Sequence, residues 1–154
     1  MRISSNFDSG NIQVIQANSA DAITLRINKD NQSEFYQWFH YKLETIPDTP
    51  HRMTIEDLKQ SAYPDGWKEY QAVASYDRQE WFRVPTQFDG DNLVIEHTPE
   101  CSQVYYAYFA PYSYERHQDL LAWAQISPRC QLTHLGETLD KRDLSLLTIG
   151  EPTP

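Results

Sequence analysis

The chain has 154 residues, 40% hydrophobic and 23% charged, which is enough to bury one core and too apolar and aromatic for a disordered chain. Its 13 Lys+Arg against 22 Asp+Glu give a net charge of −9, so neither nucleic acid nor a membrane surface is an expected partner; both are bound through clustered cations that this sequence lacks. No stretch approaches the ~20 apolar residues of a membrane span, "MRISSNFDSGNIQVIQ" has no basic segment followed by an apolar run, and Cys101 and Cys130 make neither a disulfide framework nor a zinc-finger spacing, so a reduced, cytoplasmic setting is expected.

Along the chain the hydrophobic period is mostly two. In "ADAITLRIN" Ile23, Leu25 and Ile27 share one face and Thr24 and Arg26 the other, as in a half-buried strand. "YQWFHYKLE" sets Phe39, Tyr41 and Leu43 against Tyr36, Trp38 and His40, so both of its faces look covered or aromatic. Further strands are predicted in Met53 to Ile55, "QAVASYD", "EWFRV", "NLVIEH" and "QVYYAYFA", divided by the turn signals Pro64-Asp65-Gly66 and Asp89-Gly90-Asp91. Many short strands at such spacing imply an antiparallel β-sandwich or barrel, with Ile23, Leu25, Ile27, Phe39, Tyr41, Leu43, Val73 and Val94 in its core.

Near Pro111 the pattern changes. In "PYSYERHQDLLAWAQISP" Ser113 can cap a helix with Glu115 in its first turn, His117, Leu120, Leu121 and Ala124 recur at helical spacing, and Pro128 ends the run. "CQLTHLG" and "RDLSLLTIG" then read as two strands joined by "ETLDKR". The predicted fold is therefore mainly β: an antiparallel β-sandwich over residues 1–111, followed over 112–154 by one helix and a β-hairpin.

Candidate site residues are few. Tyr105, Tyr106, Tyr108, Phe109, Tyr112 and Tyr114 crowd together, and a cluster of that kind serves as core and interface or as a stacking platform for sugar or peptide. Because it runs straight into the boundary, Tyr108, Tyr112, Tyr114 and Arg116 are read as domain-interface residues. No nucleophile arrangement or glycine-rich phosphate loop is present.

The stretches "FDSGNIQVIQ", "QWFHYKLE", "YPDGWKEYQAVASYDRQEWFRVPT" and "VYYAYFAPYSYERHQDLL", in this order and followed by "LGETLDKRDLSLLTIG", resemble the amino-terminal domain of cytosolic-type zinc carboxypeptidases. The resemblance implies that 1–111 is an accessory β-sandwich domain and that 112–154 begins an α/β catalytic domain, whose first zinc-binding motif, His-x-x-Glu, would lie on the next strand, beyond Pro154. The chain is then expected to be a noncatalytic leading piece, with no catalytic, cofactor-binding or metal residues of its own and zinc confined to the longer parent. Its partners would be its own downstream catalytic domain and, for the parent, the C-termini of peptides or proteins. The unfinished sheet would leave "RDLSLLTIG" with an open edge and uncovered apolar residues, so residues 130–150 are expected to be disordered, docked makeshift onto the sandwich, or paired with another copy of the chain in self-association. The alternative is an independent β-sandwich module that binds carbohydrate or peptide.

One local pattern imitates a metal site. His97 and Glu100 in "EHTPE" have the His-x-x-Glu spacing, but a catalytic zinc needs three protein ligands and an open water position, and only His117 and His134 follow. The pair is read as a polar loop between strands.

Overall fold

The computed structural model describes residues 1–150, so the last four residues of the second predicted stretch lie outside the described residues. The chain divides into two compact units, Met1–Pro111 and a second starting at Tyr112.

The first unit packs two five-stranded sheets face to face. One is built from β1 (Arg2–Ser4), β4 (His40–Glu44), β10 (Gln103–Ala107), β6 (Val73–Ser75) and β7 (Phe82–Arg83), in that order. The other runs β2 (Gln13–Ala17), β3 (Ile23–Arg26), β5 (His51–Glu56), β9 (Leu93–His97) and β8 (Thr86–Phe88). All pairings are antiparallel except β3 with β5, which run parallel with Ile23 opposite Met53 and Leu25 opposite Ile55.

Alternation explains which side chains meet between the sheets. In β5, Met53 and Ile55 turn inward while Arg52 and Glu56 point out, where Arg52 pairs with Glu96 and Glu56 with Arg26. Ile23, Leu25, Met53, Ile55, Leu93 and Ile95 from one sheet face Phe39, Tyr41, Leu43, Ala74, Val104 and Tyr106 from the other in one buried cluster. The Tyr41 hydroxyl, deep in that core, donates to the Met53 sulfur at 3.2 Å. Val94 is the exception among the predicted core residues. In β9 the inward positions are Leu93 and Ile95, and Val94 is only half-buried on the opposite face. The unbroken apolar run Leu93-Val94-Ile95 fits either phase, and its pairing with β5 decides which one is used.

Two glycines in the quoted stretches are needed for close approach. A Cβ on Gly10 would sit 2.0 Å from the Ser5 carbonyl oxygen, and one on Gly66 would sit 2.5 Å from the Tyr63 ring. Gly10 lets the N-terminal arm fold tightly; Gly66 belongs to the 3₁₀ turn Pro64–Trp67 that drops Trp67 into the core, where its indole N–H reaches Ser61 Oγ at 2.8 Å.

The second unit holds the helix α1 (Tyr114–Ala124) and the hairpin β11 (Cys130–Glu137) with β12 (Asp143–Ile149). Ser113 caps the helix by accepting the Arg116 backbone N–H, and Glu115 complements the dipole in the first turn. No described helix is long and apolar enough to cross a membrane.

Candidate functional site

Three places gather the side chains capable of chemistry. The first lies on the outer face of the sheet that contains β4 and β10. His40 is 1% exposed there, with its Nδ1 3.0 Å from Ser9 Oγ. Phe7 and Trp81 meet its ring edge-to-face at 4.9 and 5.7 Å, Trp38 does so at 6.0 Å, and Tyr105 lies beside it. The Arg78 guanidinium covers the Phe7 and Tyr105 rings at 5.7 and 5.3 Å. The Trp38 indole N–H donates to the Ser9 carbonyl at 2.8 Å, and Asn11 exchanges backbone hydrogen bonds with His40. Burial, and secondarily the Arg78 charge, hold the His40 imidazole down at about 4, against the opposing influence of Ser9 and Asp8. Its Nε2 is buried without a hydrogen-bond acceptor and is surrounded by aromatic rings. Through Ser9 and Asn11 this imidazole and its backbone tie the N-terminal arm to the sheet.

The second place is the His97 loop. His97 Nδ1 lies 2.8 Å from the buried Tyr106 hydroxyl, and burial lowers the histidine's pKa. Opposite it across the β5–β9 pair stands His51, whose two nitrogens are occupied by Thr45 Oγ1 at 2.9 Å and the Thr49 carbonyl at 2.6 Å. Glu100 is exposed, and its backbone N–H donates to Tyr76. His117 is contacted by Tyr112 and Tyr114, while His134 stands beside Asp143 at 3.6 Å. Among the described residues no group of three or more His, Cys, Asp or Glu side chains is arranged to hold a metal ion. His97 closes β9, paired with His51, and Glu100 lies in the loop between β9 and β10.

The third place is where sequence reading puts an interface. Tyr108 is built into the sandwich: it stacks on Tyr70 at 5.0 Å, meets the Trp67 ring at 5.1 Å, and its carbonyl accepts the Tyr70 hydroxyl. In the second unit the Arg116 guanidinium lies over Tyr112 at 5.5 Å, and Arg142, in the turn of the hairpin, lies over Tyr114 at 4.6 Å. Tyr105 and Tyr106 are likewise covered, one by Arg78 and Phe7 and the other within the core, whereas Phe109 and Tyr112 are more than half exposed.

Two features were not anticipated from sequence. One is the cover over His40 supplied by Trp81 and Arg78, which come from a loop remote in sequence and carry no local signal. The other is an apolar groove of about 700 Å³ on α1, lined by Tyr112, Arg116, Leu120, Trp123 and Ile126, in which Trp123 is 77% and Ile126 76% exposed. The three-residue spacing 120, 123, 126 was available as a signal for this second apolar stripe.

Residues 3–109 match the family described as the cytosolic carboxypeptidase N-terminal domain. Among solved structures, a metallo-carboxypeptidase from Burkholderia cenocepacia is 51% identical with a TM-score of 0.94; the match covers 99% of this chain and 40% of that one. A metallo-carboxypeptidase from Pseudomonas aeruginosa, solved with (2-guanidinoethylmercapto)succinic acid, is 47% identical with a TM-score of 0.88, covering 96% and 40% respectively. An uncharacterized protein of Zymomonas mobilis subsp. mobilis is 41% identical over 151 residues, or 98% of this chain and 40% of that protein. The chain thus spans about 40% of the length of these relatives.

Proposed function

Because this chain belongs to the cytosolic carboxypeptidase N-terminal domain family, we propose that it is the noncatalytic leading part of a cytoplasmic zinc metallocarboxypeptidase that hydrolyses C-terminal peptide bonds. The observation that carries the reading is the likeness over 99% of this chain to 40% of a metallo-carboxypeptidase. In this reading residues 1–111 are an accessory sandwich and the unit from Tyr112 onward is the first part of the catalytic α/β domain. The hairpin's composition supports that role. Leu144 and Leu146 project from one face of β12, and Leu147 and Ile149 from the other, the pattern of a strand meant to be covered on both sides.

Tyr108, Tyr112, Tyr114 and Arg116 are the proposed residues at the interface between the accessory and catalytic domains, and the downstream catalytic domain is the proposed partner. Zinc, when bound in the parent, would polarise the scissile carbonyl and acidify the attacking water. This chain's own contribution is to support the catalytic domain and shape access to it.

The test compares the 154-residue chain with the full reading frame of its gene, measuring zinc content and release of the terminal residue from peptides ending in glutamate, lysine or an aromatic. Zinc and turnover are expected from the longer polypeptide and not from the chain alone. Turnover by the chain alone that vanishes on His97→Ala would refute the proposal.

A further inference from the structure

A cavity of about 830 Å³ opens in the first unit, formed by the residues that follow β3, by Tyr36, by the 3₁₀ turn Leu58–Gln60 and by Asp91 between β8 and β9. The Leu58 backbone N–H donates to the Asp91 carbonyl at 2.8 Å, which fastens the loop of Asp91 to the turn of Lys59. The Tyr36 hydroxyl donates to the Asp57 carbonyl; burial raises its pKa, and the charges of Asp57, Lys29, Asp91 and Arg26 all act on it. Four charged groups therefore converge on one phenol. Three of them are paired within the protein: Arg26 with Glu56 at 3.2 Å and with Asp57 at 2.8 Å, and Lys29 with Glu34. Asp91 is not, and neither is Lys59 on the same cavity, since among the described residues neither has an ion-pair partner. Ile27, which is buried, and the half-buried Tyr36 add apolar surface to the lining that holds these two opposite charges.

We propose that this cavity binds a small zwitterion of the class of free α-amino acids, its carboxylate on the Lys59 ammonium, its ammonium on the Asp91 carboxylate and its side chain against Tyr36 and Ile27. A ligand with a single charge satisfies one of the two groups and leaves the other unpaired, so the pair selects a molecule that carries both. A polyanion is opposed by Asp57 and Asp91, and a polycation by Arg26, Lys29 and Lys59. The volume falls within the ~300–1,000 Å³ of small-molecule sites, and the lining has their mixture of apolar surface with a few polar groups. A free amino acid is also the chemical class that the proposed parent reaction releases. The site itself rests on the cavity and does not depend on the carboxypeptidase reading.

Titration of the isotope-labelled chain, followed through its backbone amide resonances, tests it with three probes: phenylalanine, phenethylamine, which lacks the carboxylate, and hydrocinnamate, which lacks the ammonium. Phenylalanine should shift the amides of Asn28, Lys59 and Asp91, and each one-charge analogue should bind about tenfold more weakly. Lys59→Gln should weaken phenylalanine binding about tenfold and leave phenethylamine unchanged. Asp91→Asn should weaken phenylalanine to the same degree and leave hydrocinnamate unchanged. Both side chains are exposed, so both variants keep the fold, which the remaining resonances report. Arg52→Gln, outside the cavity, should alter nothing. Phenylalanine that shifts no amide of the cavity, equal binding of all three probes, or binding indifferent to Lys59→Gln and Asp91→Asn would overturn the proposal, and each of these results would leave the metal and turnover test above unaffected.

Discussion

Acid should loosen the sandwich through His40, and the size of the effect follows from the packing around that ring. The imidazole titrates at about 4 in the fold, against ~6.5 in an unfolded chain. Between those values the unfolded state binds the extra proton, so stability is complete above pH ~6.5, falls as the pH drops, and levels off below pH ~4. The full loss is about 3 kcal/mol, and about 2 kcal/mol of it is gone by pH ~5. His51 and His97 are lowered in the same direction by burial, so the His40 share must be isolated with a variant. His40→Phe keeps a ring among Phe7, Trp38 and Trp81, loses the Ser9 hydrogen bond at a cost of about 1 kcal/mol, and has no proton to gain. Urea unfolding followed by tryptophan fluorescence should find the variant less stable at neutral pH and more stable than the parent at pH ~5, with the two curves crossing between. A stability difference that stays constant from neutral pH down to pH ~4 would refute the reasoning.

Three further outcomes are expected. Tyr106→Phe removes the hydroxyl that meets His97 while keeping the ring stacked on Tyr41, and should cost about 1 kcal/mol in urea unfolding. Leu25→Ala should cost about 2–5 kcal/mol by the same assay, whereas Leu146→Ala, on the exposed hairpin, should change the unfolding of the sandwich by less than about 0.5 kcal/mol. Ser113→Ala removes the cap on Arg116 N and should destabilise α1 by about 1 kcal/mol, seen as a lowered melting temperature for the helical circular dichroism signal.

The sandwich was legible in sequence where one face of a strand is buried and the other wet. Ile23, Leu25, Ile27, Phe39, Tyr41 and Leu43 all occupy the core they were assigned to. β1, β2 and β8 escaped the sequence reading for one physical reason. They are outer strands, short or exposed on both faces, and β2 turns only Ala17 even partly inward, so no alternation is imprinted on them. Val94 shows the opposite failure, since too many apolar residues in a row erase the phase.

The candidate sites divide by the same logic of locality. The His97–Glu100 spacing is visible in four letters, whereas the contact of His97 Nδ1 with Tyr106, which belongs to the neighbouring sheet, leaves no local signal. The cage around His40 draws on residues 7, 38, 78, 81 and 105, which only the pairing of β4 with β10 and the return of the N-terminal arm bring together. Tyr108, Tyr112 and Tyr114 adjoin in sequence, but Tyr108 packs on Trp67 and Tyr70 in the first unit, whereas Tyr112 and Tyr114 meet Arg116, His117 and Arg142 in the second. Chain adjacency therefore left the packing of these residues undetermined. What distinguishes the second unit is the placing of its apolar residues. The sandwich buries its leucines and leaves Ile15 and Ile46 exposed, while in the second unit Leu120 and Trp123 on α1, Ile126 just after it, and Leu144, Leu146 and Ile149 on β12 are exposed. These side chains do not share one face, since Leu144 and Leu146 project from one side of β12 and Ile149 from the other.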